Sequence, residues 1–434
     1  MLARTLLCAA LAATGAAAET LVLKNFTLID GNGGPPVSQA AIVVEDGRIQ
    51  WVGTAARLKT PAGADVRDLA GAYVMPGIIN THGHIGNVID LTQDAKFYTR
   101  ENVEKNLKTY ASYGVTTVAS MGTDQDLVFQ IRDEQRHSRP TMTRVFTAGQ
   151  GFTFQGGVGA MPGVTFNVDS PDEIPKDIDQ LAAKKVDYVK MWVDDSLGHA
   201  KHMPFEIAKA VIDNAHRHKL RVFAHIFYLA DAQQLSDAGI NAFVHSVRDK
   251  PVDQALIASM KAHHVWQGAA TLTREASMFV YATTPSFADD PFFKRGVSDK
   301  VVATLKDPVY QKRMRASPDF SRYEGFLKQA QENLKRLADA GIPYAMGTDS
   351  GPPGRFPGFF EQWEMQLMAV AGLTRSEVIT ASTKRGAEFL GAKDLGTLEK
   401  GKWADLIVLE KNPLEDIQNT RTIRDVYIAG NKVN

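Results

Sequence analysis

Val74-Met75-Pro76-Gly77-Ile78-Ile79-Asn80-Thr81-His82-Gly83-His84 is an apolar run that stops at two histidines one residue apart. Read as a strand over residues 74–80, its side-chain alternation puts His82 and His84 on one side of the C-terminal end. Two neutral imidazoles converging at a strand end suit a divalent metal. A histidine in such a place also serves as an ordinary hydrogen-bonded core residue. The weight of the pair therefore depends on whether further ligands end other strands.

Outward from this run the chain alternates strand and helix. Strand-like stretches recur at residues 114–119, 144–148, 187–193, 221–225, 241–245, 265–269 and 343–347, with helical patterns between them at 102–113, 204–218, 230–238 and 323–340. Ala238-Gly239 and Ala340-Gly341 supply helix-stopping glycines. With residues 74–80 this makes eight strands, which predicts a parallel α/β architecture closed as a (β/α)8 TIM-type barrel. An open doubly wound sheet is the alternative, but it normally carries a glycine-rich phosphate turn after its first strand. Gly149-Gln150-Gly151 and Gly156-Gly157 lack a following Lys-Ser/Thr and read as loop.

The flanks differ. Residues 20–71 are short β-like segments broken at Gly31-Asn32-Gly33-Gly34 and Glu45-Asp46-Gly47, and the pattern returns at 403–409 and 426–429. Neither piece can bury a core alone, so both are expected in one small β-sandwich domain built from the two chain ends. The expected division is 1–18, 19–72, a barrel over 73–392, and 393–434.

Residues 1–18 read as a signal peptide: Arg4, an apolar stretch at 6–13, and Ala16-Ala17-Ala18 before Glu19. The expected location is periplasmic or secreted. Cys8, the only cysteine, lies inside this segment after Leu7, which argues against a lipid-anchored processing site. Cleavage after Ala18 would leave no thiol for disulfides or metal ligation. The 434 residues are 44% hydrophobic, ample for a large core. Lys+Arg and Asp+Glu each number 49, which leaves no electrostatic footprint for nucleic acid. No later run reaches the roughly 18 apolar residues of a membrane span.

In a barrel of this kind the active site lies at the C-terminal ends of the strands. Those ends carry His82 and His84, His225, His245 and, after the eighth strand, Asp349; the fourth strand carries Lys190 in Tyr188-Val189-Lys190-Met191-Trp192. An ammonium inside a buried strand needs a partner. Four histidines, one carboxylate and one lysine at strand ends point to a metal site.

These residues, with Gly401-Lys402-Trp403-Ala404-Asp405-Leu406-Ile407-Val408-Leu409, resemble the amidohydrolase superfamily, and within it the prolidase-like branch. The resemblance implies a two-metal centre in which His82, His84 and Asp349 bind the buried ion and His225 and His245 the outer one. Lys190 would be carboxylated by CO2 and bridge both. An ordinary lysine is an ammonium without a free lone pair, whereas a carbamate offers two oxygens and a negative charge. Zinc is the first choice for histidine-plus-oxygen ligation; manganese, cobalt or iron also fit. The implied chemistry is attack of a metal-bridging hydroxide on an amide carbonyl, with Asp349 moving the proton.

Deaminase-type relatives typically show His-x-x-Glu on the fifth strand. Here Tyr228 stands three residues after His225, which with Lys190 points away from a mononuclear deaminase or an imidazolonepropionase-like enzyme. The pattern is similar to prolidase-like and carboxypeptidase-like members, which cleave N-acyl amino acids or dipeptides. Lactones, carbamates and organophosphate triesters are the alternative substrates. A non-catalytic scaffold is a different class of reading, but such relatives typically lose ligands. Tyr228, His202 and Arg355 are the candidate substrate residues. Arg355 beside Phe356, Phe359, Phe360 and Trp363 suits an apolar or aromatic group plus a carboxylate. The aromatic-rich connection 271–321 reads as a lid or binding loop. The expected partner is a small-molecule substrate, and self-association into a homo-oligomer stays open.

Overall fold

In the computed structural model, which describes residues 19–434, the run ending in His82 and His84 is two strands in two sheets, Tyr73–Pro76 and Ile78–Gly83. The single strand expected over 74–80 is thereby corrected. Pro76 has no N–H to continue a ladder. The Gly77 N–H turns to the Asp405 carbonyl at 2.9 Å, and that of Ile78 to the Gly114 carbonyl at 3.0 Å. A Cβ at position 77 would lie 2.1 Å from Thr116 Oγ1, so only glycine allows this crossing. The expected export segment, residues 1–18 with Cys8, lies outside the described residues.

The first sheet is built from both chain ends. Thr20–Leu28 pairs antiparallel with Val37–Glu45 and parallel with Asp65–Asp68 and Tyr73–Pro76. Tyr73–Pro76 in turn pairs antiparallel with Leu406–Leu409, which pairs with Ile423–Ile428. With Arg48–Thr54 and Asn431–Lys432 they form one eight-stranded sheet. Its alternating apolar residues, among them Leu23, Phe26, Ile42, Val44, Val74, Leu406 and Val408, share one core.

A buried ion pair ties this sheet to the rest. Arg144 Nε donates to Asp405 Oδ2 at 2.8 Å with both side chains almost fully buried, and Asp405 Oδ1 also accepts from the Ala429 N–H at 2.7 Å. Removing one partner strands the other charge away from water. Asp405→Ala is expected to cost about 3–5 kcal/mol in urea-induced unfolding. A loss under about 1 kcal/mol would show that the pair does not anchor the sheet.

Apart from a short antiparallel pair, Val88–Ile89 with Thr92–Gln93, the remaining strands are parallel. Arg144–Thr147, Val115–Ser120 and Ile78–Gly83 form one sheet. Phe166–Val168, Phe152–Phe154, Val189–Trp192, Val222–His225, Ala242–Phe243 and Trp266–Gln267 form another. Backbone hydrogen bonds run between the two on both sides. The Asp187 N–H reaches the Thr147 carbonyl at 3.0 Å. On the far side the Gln267 N–H reaches Pro343 at 2.9 Å, and the Thr81 N–H reaches Met346 at 3.0 Å. The eighth strand expected over 343–347 is therefore a connecting segment, with one parallel bridge from Tyr344 to Gln267. Its Met346 N–H goes instead to the Ala381 carbonyl at 3.2 Å, and beyond it the chain turns at Asp349, whose φ is 58°.

Helices Arg100–Ser112, Phe205–Arg217, Leu229–Asp237 and Tyr323–Asp339 fall within about two residues of the expected spans. Each packs an apolar stripe inward, as Ile207, Val211, Ile212 and Ala215 do in the second. The connection 271–321 holds short helices at Leu272–Ser277, Pro291–Lys294, Asp299–Lys306 and Pro308–Arg315. Its Tyr281 and Phe293 join Tyr113, Phe356, Phe359 and Phe360 in a buried cluster. The rings meet edge to face, with Phe293 centroids 5.1 Å from Phe356 and 4.9 Å from Phe359. The aromatics expected around a substrate thus mostly pack against one another. No helix among the described residues is long and apolar enough to cross a membrane.

Candidate metal centre

His82 and His245, from two strand ends, and Asp349, from the turn after 343–347, converge with one ligand atom of each lying within 4.8 Å of the others, all three buried. The second nitrogen of each ring is fixed from behind. His82 Nδ1 lies 2.8 Å from the Val244 carbonyl, His245 Nδ1 2.7 Å from Thr271 Oγ1, and His84 Nδ1 2.8 Å from Thr123 Oγ1. Each Nε2 is thereby aimed at the centre, as partners of this kind orient metal-ligating imidazoles. His84 Nε2 stands 3.1 Å and His82 Nε2 3.7 Å from Asp349 Oδ1, and His245 Nε2 3.8 Å from Oδ2.

Three buried nitrogens here have no hydrogen-bond partner among the described residues: His82 Nε2, His245 Nε2 and Lys190 Nζ. Leaving such groups bare costs about 1–3 kcal/mol each. A cluster of three at one spot fits a site made for an ion. Burial pushes Lys190 from its ordinary 10.5 down to about 7 despite the attraction of Asp349. Burial, then Lys190, holds His82 well below its usual range; burial, then His225, does the same to His245. All three nitrogens thus offer lone pairs near neutral pH. Burial alone would raise the Asp349 carboxyl, but Arg355 and His82 hold it well below the usual carboxylate range.

Lys190 reaches this centre because the chain beside it is thin. Gly122, at φ +90°, would place a Cβ 2.9 Å from Lys190 Cγ. The lysine stem fills that space, with Nζ 5.0 Å from the centre of the Trp192 ring.

The remaining candidates are placed as follows. The His225 ring lies 3.8 Å from that of His245, but its Nε2 sits 2.5 Å from Asp194 Oδ2. Burial lowers its pKa to about 4. Arg355 donates to Asp349 Oδ2 at 2.5 Å. Tyr228 donates to Asp195 Oδ1 at 2.7 Å at the start of the helix Leu229–Asp237. His202 is drawn away from the centre: its Nε2 lies 2.9 Å from Asp231 Oδ2, and it lines a separate cleft with Val193, Pro204 and Gln234. The cleft over the metal candidates, about 320 Å³, is lined by His84, Trp192, His225, Asp349 and Arg355, by Val158 and Met161, and by Arg274.

Several groups at the site were not singled out in the sequence. Asp194, two residues beyond the strand Val189–Trp192, is a strand-end carboxylate that the same reasoning could have found. Thr123 and Thr271 carry no such signal. Thr271 is held at φ 55°, a strained conformation for a β-branched residue. The helix Phe359–Val370 fixes it in place through Glu364, which accepts from the N–H groups of Leu272 and Thr273 at 2.8 and 2.7 Å. Glu361 of the same helix accepts from Asn80 Nδ2, Thr348 Oγ1 and Ser350 Oγ at 2.6–2.7 Å.

The Amidohydrolase family profile matches residues 73–433. An imidazolonepropionase of Deinococcus deserti is 26% identical over 412 residues, 92% of each chain. An ochratoxinase of Aspergillus niger is 27% identical over 254 residues, covering 55% of this chain and 42% of its own. Among solved structures, a Xaa-Pro dipeptidase with methionine in its active site is similar at a TM-score of 0.74 and 20% identity, covering 95% of this chain and 99% of its own. Molinate hydrolase is similar at 0.72 and 21%, covering 96% and 95%.

Proposed function

The chain belongs to the amidohydrolase family, and on that premise we propose that it is an exported hydrolase with a two-metal centre that cleaves an amide bond in N-acyl amino acids or dipeptide-like substrates. The observation that carries the reading is the trio of bare buried nitrogens, His82 Nε2, His245 Nε2 and Lys190 Nζ, around Asp349. His82, His84 and Asp349 would hold one ion and His225 and His245 the other, His225 exchanging Asp194 for it. Two divalent cations, zinc in the first place, would supply Lewis acidity and lower the pKa of a coordinated water to about 7.

The protein's own groups do the rest. Lys190, with a pKa of about 7, is a free amine in a large fraction of molecules at neutral pH. Its nitrogen can bond to the carbon of CO2 and lose a proton, leaving a carbamate anion between the two ligand sets. Asp349 takes a proton from the attacking water and delivers it to the leaving nitrogen as the C–N bond breaks. Val158, Met161 and Trp192 add apolar groups to the lining of an otherwise polar cleft, which suits an apolar or aromatic side chain on the substrate.

The imidazolonepropionase likeness favours a cyclic amide ring as substrate instead. Lys190 at the centre and Tyr228 three residues after His225 weigh against it and for the prolidase-like branch. The parallel strands are read as one closed (β/α)8 barrel, given the hydrogen bonds through 343–346. The domain division at residues 19–72, 73–392 and 393–434 and a periplasmic or secreted location complete the reading.

Elemental analysis of protein prepared with zinc and bicarbonate is expected to find two ions per chain, and chelation should remove both ions and activity. Hydrolysis of N-acyl amino acids in the same preparation is the decisive assay. Turnover of lactones or phosphate triesters in their place would move the substrate assignment to those classes, and absence of bound metal would end it.

A further inference from the structure

We propose that Arg274 and Arg355 form a two-guanidinium clamp for the free carboxylate of the substrate, making the enzyme selective for N-acyl amino acids with an ionised C-terminus. This deepens the reading above and rests on it. The two arginines come from different segments, Arg274 from the helix Leu272–Ser277 and Arg355 from the turn after Asp349, and both line the cleft beside His84 and Asp349. Their side chains are only 16% and 19% exposed. Two guanidinium groups lining one partly buried cleft suit an anionic group of a ligand.

The carboxylates nearby each engage one Nη1 atom, Glu275 on Arg274 and Asp349 on Arg355. Glu275 Oε1 is shared between Arg248 Nε and Arg274 Nη1, each at 2.9 Å. Arg248, almost completely buried, also donates to the Ile226 and Ser246 carbonyls and so belongs to the framework. Arg274 Nε has no partner among the described residues. The Arg355 guanidinium donates to Asp349 Oδ2, the oxygen away from His84. Glu275 Oε2 is likewise buried without a hydrogen-bond partner, so a ligand in the cleft would meet the terminal nitrogens of the two arginines. A carboxylate one carbon from a scissile amide nitrogen could take them in forked geometry while the amide faces Asp349. The apolar wall of Val158, Met161 and Trp192 would receive the side chain on that same carbon.

Arg274 is the cleaner test, because Arg355 touches Asp349. Acetate release from N-acetyl-L-phenylalanine and from its neutral carboxamide is compared in wild-type enzyme, Arg274→Met and Arg274→Lys. Binding of L-phenylalanine and L-phenylalaninamide, the products, is followed by calorimetry in the same proteins. Wild type is expected to favour the acid. Arg274→Met should lose roughly 10- to 100-fold in kcat/KM for the acid, mainly through KM, and less than threefold for the carboxamide. Lysine should restore part of the loss. Phenylalanine binding should weaken in parallel while phenylalaninamide binding stays unchanged. Equal losses on acid and carboxamide, or a wild type that does not distinguish them, would overturn the clamp and leave amide hydrolysis standing. If neither compound is cleaved yet phenylalanine binding depends on Arg274, the clamp holds and the hydrolytic reading falls. If neither is cleaved and phenylalanine binding ignores Arg274, both fall.

Discussion

Asp349→Asn is expected to leave a folded protein whose turnover is roughly 10²- to 10⁴-fold slower. The substitution is conservative in shape, and asparagine tolerates the left-handed backbone that residue 349 adopts at φ 58°. It can still accept from Arg355 and offer an oxygen to an ion. It cannot take a proton from water and return it to a leaving nitrogen. The loss should therefore fall on kcat, with metal content and circular dichroism near those of wild type. Turnover within a few-fold of wild type would remove Asp349 from proton transfer.

Lys190→Met is expected to abolish activity while making the metal-free protein more stable. The Lys190 amine is buried without a partner, and its pKa falls from 10.5 to about 7. Because the folded value lies below the unfolded one, the unfolded chain holds the extra proton between pH 7 and 10.5. Wild-type stability is therefore lost as pH falls through that window, and the loss levels off below it. The full difference is on the order of 4–5 kcal/mol at about 1.4 kcal/mol per pKa unit. Methionine fills nearly the same space without a charge. Urea unfolding of the two metal-free proteins should find methionine ahead by several kcal/mol at pH 7 and the curves converging near pH 10. A less stable methionine variant at pH 7 would show that Lys190 has a partner in the folded protein.

Five of the six proposed ligands stood out in the sequence because each stands at or just beyond the end of an apolar stretch, and Lys190 because it is a charge inside one. The join of the two chain ends was legible too, since residues 20–71 and 403–429 share a short alternating pattern that neither can bury alone. The sequence was misleading where nearness along the chain stood in for nearness in space. His202 follows the fourth strand closely, yet Asp231 draws it to another cleft. The break at Gly77 was hidden inside a continuous apolar run, because its cause, Thr116 against the backbone, lies in another strand. Glu361, Glu364 and Thr271 act only through partners far away in the chain, and no local pattern marks such a role.

The two buried glutamates of the helix Phe359–Val370 also bear on redesign of the enzyme. Through Glu361 and Glu364 this helix binds the 348–350 turn and the start of Leu272–Ser277 into one rigid half of the cleft. Substitutions meant to admit larger substrates there would have to shift both segments together and would disturb His245 through Thr271. The opposite wall, residues 158–161, is held mainly by the local bonds Thr153 Oγ1 to Val158 O at 2.7 Å and Met161 N to Thr165 Oγ1 at 2.9 Å. Libraries aimed at new substrates should vary that wall and leave the glutamate-braced side alone.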